Sequence, residues 1–123
     1  MRPVSISLGW PVQALGPNKR VRVHWTIRHR AEKAAKHLAH WTALEAGATR
    51  LSGKPVQMVV TFHRPDNRVR DDDNDIGRFK AYRDGIADAL NINDSELRPT
   101  YEWGPVVKGG RIVVTISAKE PAE

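Results

Sequence analysis

The chain has 123 residues, with 20 Lys/Arg against 14 Asp/Glu and no cysteine. That length suits one domain over residues 1–123 with a modest core. No apolar run approaches the roughly 18 residues of a membrane span. Residues 1–11 lack the long apolar segment of a secretory signal, so a cytoplasmic location is expected. Without cysteine, disulfides and thiolate metal sites are excluded.

The charge is unevenly spread. Residues 1–70 hold 13 Lys/Arg and 3 Asp/Glu, whereas residues 71–123 hold 7 and 11. A basic half followed by an acidic centre points to a polyanionic partner plus a cation site; a solvated basic surface has the same composition.

Residues 4–8, VSISL, alternate and read as a short strand. Residues 9–20 are broken by Pro and Gly and read as a loop. A helix is expected over 26–46, with Ala31, Ala34, Ala35, Leu38, Trp41 and Thr42 on its core face and Arg30, Lys33, Lys36 and His37 elsewhere. Gly47 ends it. Residues 55–63, PVQMVVTFH, alternate with Val56, Met58, Val60 and Phe62 on one side and predict a strand. Residues 64–68 turn. A second helix is expected over 74–90, with Ile76, Phe79, Ile86 and Leu90 facing the core. Residues 91–96, NINDSE, form a polar loop. Strands are expected at 97–103 and 111–117, joined as a hairpin with Gly109-Gly110 as its tight-turn signal. The order is β-α-β-α-β-β, an α+β fold with two helices on one face of a small mixed sheet.

The stretch RVRDDDNDIGRFK, residues 68–80, raises the functional question. Asp71, Asp72, Asp73 and Asp75 repel one another unless a positive group lies between them. Helix capping is one answer, but one acid suffices for a cap. An EF-hand fails. Counting from Asp71, position six is Ile76 and position twelve Tyr82; counting one residue later, Gly77 fits but Ile76 takes a ligand position and Arg83 the last. A hard-cation site is the remaining reading. In an extended segment Asp71 and Asp73 point to the same side and Asp72 to the other. Two convergent carboxylates suit Mg²⁺, which takes oxygen ligands and keeps several waters. Asp94, just past the second helix, is the candidate third carboxylate. Lys80 lies two helical turns after Asp73, and its side chain leans back toward the acids. It is placed either to hold a phosphate or to pair with Asp84.

Taken together, RVRDDDND (68–75), KAYRD (80–84) and NDSE (93–96) resemble the RusA family of Holliday junction resolvases. SISLGWP (5–11) and KGGRIVVTI (108–116) agree with the same family, so the resemblance spans nearly the whole chain. It implies a RusA-like fold, a homodimer, and Mg²⁺-dependent hydrolysis of phosphodiester bonds in four-way DNA junctions, with Mn²⁺ a possible substitute. Carried over residue by residue, it implies metal ligands Asp71, Asp73 and Asp94 and a catalytic Lys80. The chain departs from the pattern in two places. The family lysine comes one turn after the second Asp, where this chain has Gly77, with Arg78 as an alternative cation. The loop often carries two acids, where this chain has Asn93 before Asp94.

Lys19, Arg20, Arg22, Arg28 and Arg30 in the basic half, with Arg68 and Arg70 beside the acids, are candidate phosphate contacts. Trp10 and Trp25 suit packing better than base stacking. His37 and His40 lie one turn apart without an obvious third ligand for zinc. No P-loop, dinucleotide fingerprint or Ser/Cys nucleophile motif is present. A non-catalytic branched-DNA-binding module and an endonuclease preferring flaps or forks are the rival readings.

Overall fold

The computed structural model describes residues 2–16 and 24–119. Lys19, Arg20 and Arg22 lie outside the described residues. In chain order the main elements are β1 (Val4–Gly9), α1 (Trp25–Glu45), β2 (Val56–His63), α2 (Asp72–Leu90), β3 (Thr100–Trp103) and β4 (Arg111–Ala118). Three short 3-10 turns, Gln13–Leu15, Ala48–Leu51 and Asp94–Glu96, fill the connections.

The four strands form one mixed sheet in the order β1-β4-β2-β3. β4 pairs antiparallel with both β1 and β2, and β3 runs parallel to β2. Strand alternation decides which face is covered. Val4, Ile6 and Leu8, Met58, Val60 and Phe62, and Ile112, Val114 and Ile116 are buried, while their alternate neighbours are partly or fully exposed. One face therefore carries both helices and the other faces water, as the expected α+β packing requires.

Three details differ from the sequence-based expectation. First, β3 and β4 do not form a hairpin: they flank β2 on opposite sides. Crossing back through α2 places β3 parallel to β2 at the sheet edge. β4 and β2, each with five apolar residues of eight, take the two central positions, where both edges of each are paired. Gly109 and Gly110 do turn the chain, at φ 83° and 78°, but within a connection that passes the end of β2.

Second, the core face of α1 is Ala35, Ala39 and Ala43. Leu38 and Trp41 are half exposed, at 51% and 52%. The reason is contact distance. A Cβ built on Gly85 of α2 would lie 2.1 Å from the Lys36 carbonyl oxygen and 3.1 Å from Ala39 Cβ. The helices are so close there that only alanine-sized side chains fit between them, and the bulky residues of α1 turn outward.

Third, α2 starts at Asp72, two residues before the expected Asn74, because Asp71 caps it. Phe79, Ile86 and Leu90 are buried as expected and Ile76 partly so. Asn91 closes the helix in the left-handed region at φ 53°, with the Ile92 N–H donating to the Ala87 carbonyl at 3.1 Å.

Candidate active site

β1, β2 and β3 all end, and β4 begins, at the same edge of the sheet: Gly9 and His63 both pair with Arg111, and Phe62 pairs with Trp103. The loops leaving that edge surround the N-terminus of α2, where the acidic cluster sits. They are knitted together. The Val107 N–H donates to the Arg64 carbonyl at 3.1 Å and the Gly104 N–H to the Phe62 carbonyl at 3.0 Å. Trp10 sits edge-on to Phe62, at 6.2 Å between ring centroids, and over the bare Cα of Gly110.

The four acids of the cluster have different roles. Asp75 is 1% exposed. Its Oδ2 accepts from Arg64 Nε at 2.8 Å and from Trp103 Nε1 at 3.0 Å. The same guanidinium donates through Nη2 to Asp72 Oδ1 at 2.7 Å, and lies 5.8 Å from the centre of the Trp103 ring. Burial works against the charge on Arg64, but the hydrogen bonds it donates to Asp75 and Asp72, with their negative charges, outweigh it and raise its pKa. One arginine at the end of β2 thus neutralises two of the acids and ties α2 to β2 and β3.

Asp71 and Asp73 remain. The Asp73 N–H donates to Asp71 Oδ1 at 3.0 Å, making Asp71 the N-cap. Asp73 occupies the first helical turn rather than an extended segment. Both are exposed at the N-terminal end of the helix. What sets Asp72 apart from its neighbours is its pair with Arg64, not alternation along an extended segment.

The basic neighbours also divide. Arg70 Nη1 donates to Asp66 Oδ1 at 2.6 Å and its side chain is 20% exposed, so it braces its own loop. Arg68 pairs with Asp66 only at the surface, Nε to Oδ2 at 3.6 Å, and its side chain is 82% exposed. The Arg70 hydrogen bond, with a further one from the Arg68 N–H, holds the Asp66 carboxyl at about 2 against an ordinary 3.8. The sign follows from that depression: the brace is complete above 3.8 and is lost as pH falls through about 2. A carboxyl-carbon NMR titration is expected to place the Asp66 midpoint near 2; an ordinary midpoint would mean that the loop is not held.

Asp94 is not at this site. It opens the 3-10 turn beyond the C-terminus of α2. The 19 residues of α2 rise about 28 Å at 1.5 Å per residue. Asp71 and Asp73 stand at one end and Asp94 at the other, so the expected three-aspartate cluster does not form within one chain. Among the described residues, no three His, Cys, Asp or Glu side chains converge on one point. Asp94 instead shares a groove with Lys36, Asp84 and Asp88. Burial, with the nearby Asp94 charge second, pushes the Asp84 carboxyl up. The reason is α2 itself: running unbroken from Asp72 to Leu90, it carries residues 91–96 to the far end from residue 71 before β3 begins.

Lys80 is exposed on α2. It lines a groove of about 410 Å³ between the helices with Gly77, Arg78 and Asp84 from α2 and Arg28, Lys33 and Lys36 from α1. Arg28 is engaged there, donating to Glu32 at 3.2 Å and to the Gly16 carbonyl at 3.0 Å, while Arg30 is exposed. His37 and His40 both pack around the Trp41 ring, at 6.1 and 5.4 Å between centroids. Trp25 is 71% exposed rather than packed. Sequence reading missed Arg64, Asp75 and Trp103 as a unit. Its one legible sign was an arginine at the end of a strand just ahead of more acids than a cap needs.

The donor chemistry at the α2 N-terminus is of the oxygen type that Mg²⁺ takes together with water: two exposed carboxylates, at the N-cap and in the first turn, with no lysine or arginine paired to either among the described residues.

No protein-family model matches the chain. It is 43% identical over 119 residues to an uncharacterized protein of Xylella fastidiosa strain Temecula1, covering 92% of this chain and 75% of that protein.

Proposed function

We propose that this chain, which belongs to the same family as the Xylella fastidiosa protein, is a Mg²⁺-dependent endonuclease acting on branched DNA, four-way junctions foremost. The observation that carries this reading is the division of labour among the acids: Arg64 takes Asp72 and Asp75, leaving Asp71 and Asp73 exposed at a helix N-terminus beside an exposed Arg68. The RusA resemblance of RDDDN, KAYRD and NDSE supports the same chemistry, and with it a cytoplasmic setting.

Asp71 and Asp73 would hold the ion, and Arg68 would hold the neighbouring phosphate. When bound, Mg²⁺ supplies Lewis-acid polarisation of a phosphate oxygen and a more acidic water. The Asp71 cap fixes the start of α2, so the two carboxylates keep their spacing without help from the ligand.

The distance to Asp94 gives the expected dimer a chemical purpose. Asp73, Gly77, Lys80, Asp84 and Asp88 recur every three or four residues along one stripe of α2. Arg78 and Lys80 lie between an acid at its start, Asp73, and acids in its second half, Asp84, Asp88 and, just beyond, Asp94. A copy of the chain related by two-fold symmetry and running its α2 antiparallel would set Arg78 and Lys80 toward the partner's acidic second half, and would gather acids of both copies at the two ends, where only a cation could hold them together. Gly77 has no side chain to hold that copy off. Asp94 of the partner subunit would then come to Asp71 and Asp73 and complete a three-carboxylate site. Two such sites per dimer suit paired nicks on one junction.

The test is cleavage of a synthetic four-way junction, beside a linear duplex, on a denaturing gel with Mg²⁺ or EDTA. Asp73→Asn and Asp94→Asn are each expected to fold and bind but to lose cleavage about 100-fold or more, since even partners one step removed from a metal cost 10–100-fold. Mixing the two variants restores one complete site per mixed dimer, and with it nicking. Asp73→Asn cleaving like the parent sinks the enzyme reading; mixtures as dead as their components sink the shared site. The second reading is a non-catalytic branched-DNA-binding module, favoured by the capping role of Asp71. It predicts junction binding without cleavage under any divalent ion.

A further inference from the structure

α1 has two apolar sides. Ala35, Ala39 and Ala43 face the core. Ile27, Ala31, Ala34, Leu38 and Trp41 form the other, stepping four, three, four and three positions along the helix. At about 100° per residue they fall within roughly 80° of one another, so helix geometry alone sets them on one stripe. The centre of that stripe lies about 120° around α1 from the core alanines. Ile27, Leu38 and Trp41 are each about half exposed, Ala34 is exposed and Ala31 partly so. Lys33 and Lys36, which line the groove against α2, lie about 120° or more from the centre of the stripe. The stripe therefore faces away from that groove, and it is separate from the α2 stripe assigned above to a second copy.

The spacing and the charges say what fits there. Alternating steps of four and three are the seam of a two-helix pairing. The two alanines at its middle let a second backbone come close, as α2 does beside Ala39 on the core side. The larger side chains stand on either side of them, and Trp41 is braced by ring contacts with His37 and His40. Glu45, the next position, ends the stripe. Arg28 is paired with Glu32 and Lys36 with Asp88. Arg30 and Lys33 are exposed and enter no ion pair among the described residues. Arg30 lies one turn from both Ile27 and Ala34 and borders the stripe directly, with His37 one turn further on. A second α1 would bring the same cations with it and be repelled, whereas acidic flanks would be attracted. A nucleic acid would find no cation within the stripe to meet a phosphate.

We propose that this side of α1 docks an amphipathic helix of another protein, with apolar residues at the same spacing and Asp or Glu beside them. The proposal is independent of the chemistry proposed at Asp71 and Asp73.

The test uses two labelled synthetic helical peptides with leucine and alanine at the seam positions, one flanked by Glu and the other by Lys. Fluorescence anisotropy against the full chain measures both. The Glu peptide is expected to bind about tenfold or more tightly than the Lys peptide, and Leu38→Gln or Ile27→Gln to weaken it by about the same factor. Arg30→Glu is expected to remove most of the preference for Glu. Both apolar residues are half exposed, so these variants keep the parent fold, which circular dichroism checks. Binding of neither peptide, equal binding of both, or binding unchanged in Leu38→Gln and Ile27→Gln overturns the proposal. So does a Leu38→Gln variant that loses self-association in sedimentation, or binding to junction DNA or to anionic vesicles, since the stripe would then belong to that occupant.

Discussion

Gly85→Val is expected to lower stability by about 3 kcal/mol or more, beyond the usual 1–3 kcal/mol of an overpacked core. The reason is a backbone contact. Even the first added carbon would stand 2.1 Å from the Lys36 carbonyl oxygen, and a main-chain oxygen cannot rotate aside as a side chain can. α1 and α2 must separate, which opens gaps around Ala35, Ala39 and Ala43 and stretches the Lys36–Asp88 ion pair, now 3.3 Å. Set against a typical total of about 5–15 kcal/mol for a domain, that is a large fraction. Gly85→Ala carries most of the clash and is expected to show most of the loss, despite alanine's better helix propensity of about 1 kcal/mol. Urea unfolding measures both. An alanine variant as stable as the parent would mean that the helices are not packed this closely.

Asp75→Ala is expected to cost about 3–5 kcal/mol, the range for breaking a buried ion pair by removing one partner. Arg64, with its side chain 22% exposed, would keep only its surface bond to Asp72. The Trp103 indole N–H would lose its acceptor. Asp75→Asn, which keeps an acceptor oxygen but not the charge, is expected to lose less. Arg64→Ala strands the Asp75 carboxylate at 1% exposure and is expected to be at least as damaging as Asp75→Ala. Trp103 fluorescence followed through urea unfolding reports both stability and the state of the network. A loss below about 1 kcal/mol for Asp75→Ala would reduce the network to an ordinary surface pair. Because Asp75 and Asp72 anchor the first turn of α2, any surviving fold is expected to hold Asp71 and Asp73 less firmly, so junction cleavage would fall further than stability.

Both residues show where local pattern stops being informative. Gly85 within a helical run reads as a mild propensity cost; that the partner backbone crosses just there is visible only when α1 is laid against α2. Asp75 reads as one more acid in a cluster of four. Its burial depends on Arg64 and Trp103, 11 and 28 positions away in sequence. The α1 stripe is a third case. Leu38 and Trp41 fall on the most apolar face by periodicity, yet they point outward, because contact with α2 leaves room for alanine and nothing larger.

What the sequence determined by itself was local or charge-borne. Alternation over residues 4–8 and 55–63, helical spacing through 74–90 and the punctuation at Gly47 set the α+β composition, because each strand or helix must hide its own apolar side wherever it lies. The basic first half and the four crowded aspartates marked a stretch that needs offsetting positive charge, since like charges do not gather without something to offset them. The tertiary structure decided which charges were offset by the protein itself. It spent Asp72 and Asp75 on Arg64, and Arg70 on Asp66, leaving Asp71, Asp73 and Arg68 open to solvent. Asp94 lies a helix length from Asp71 because α2 runs unbroken from Asp72 to Leu90; what the tertiary structure decided is that β3 runs parallel with β2 and that β4 enters the sheet between β1 and β2. Strand order is a long-range choice, made by how whole elements stack, and no local spacing encodes it.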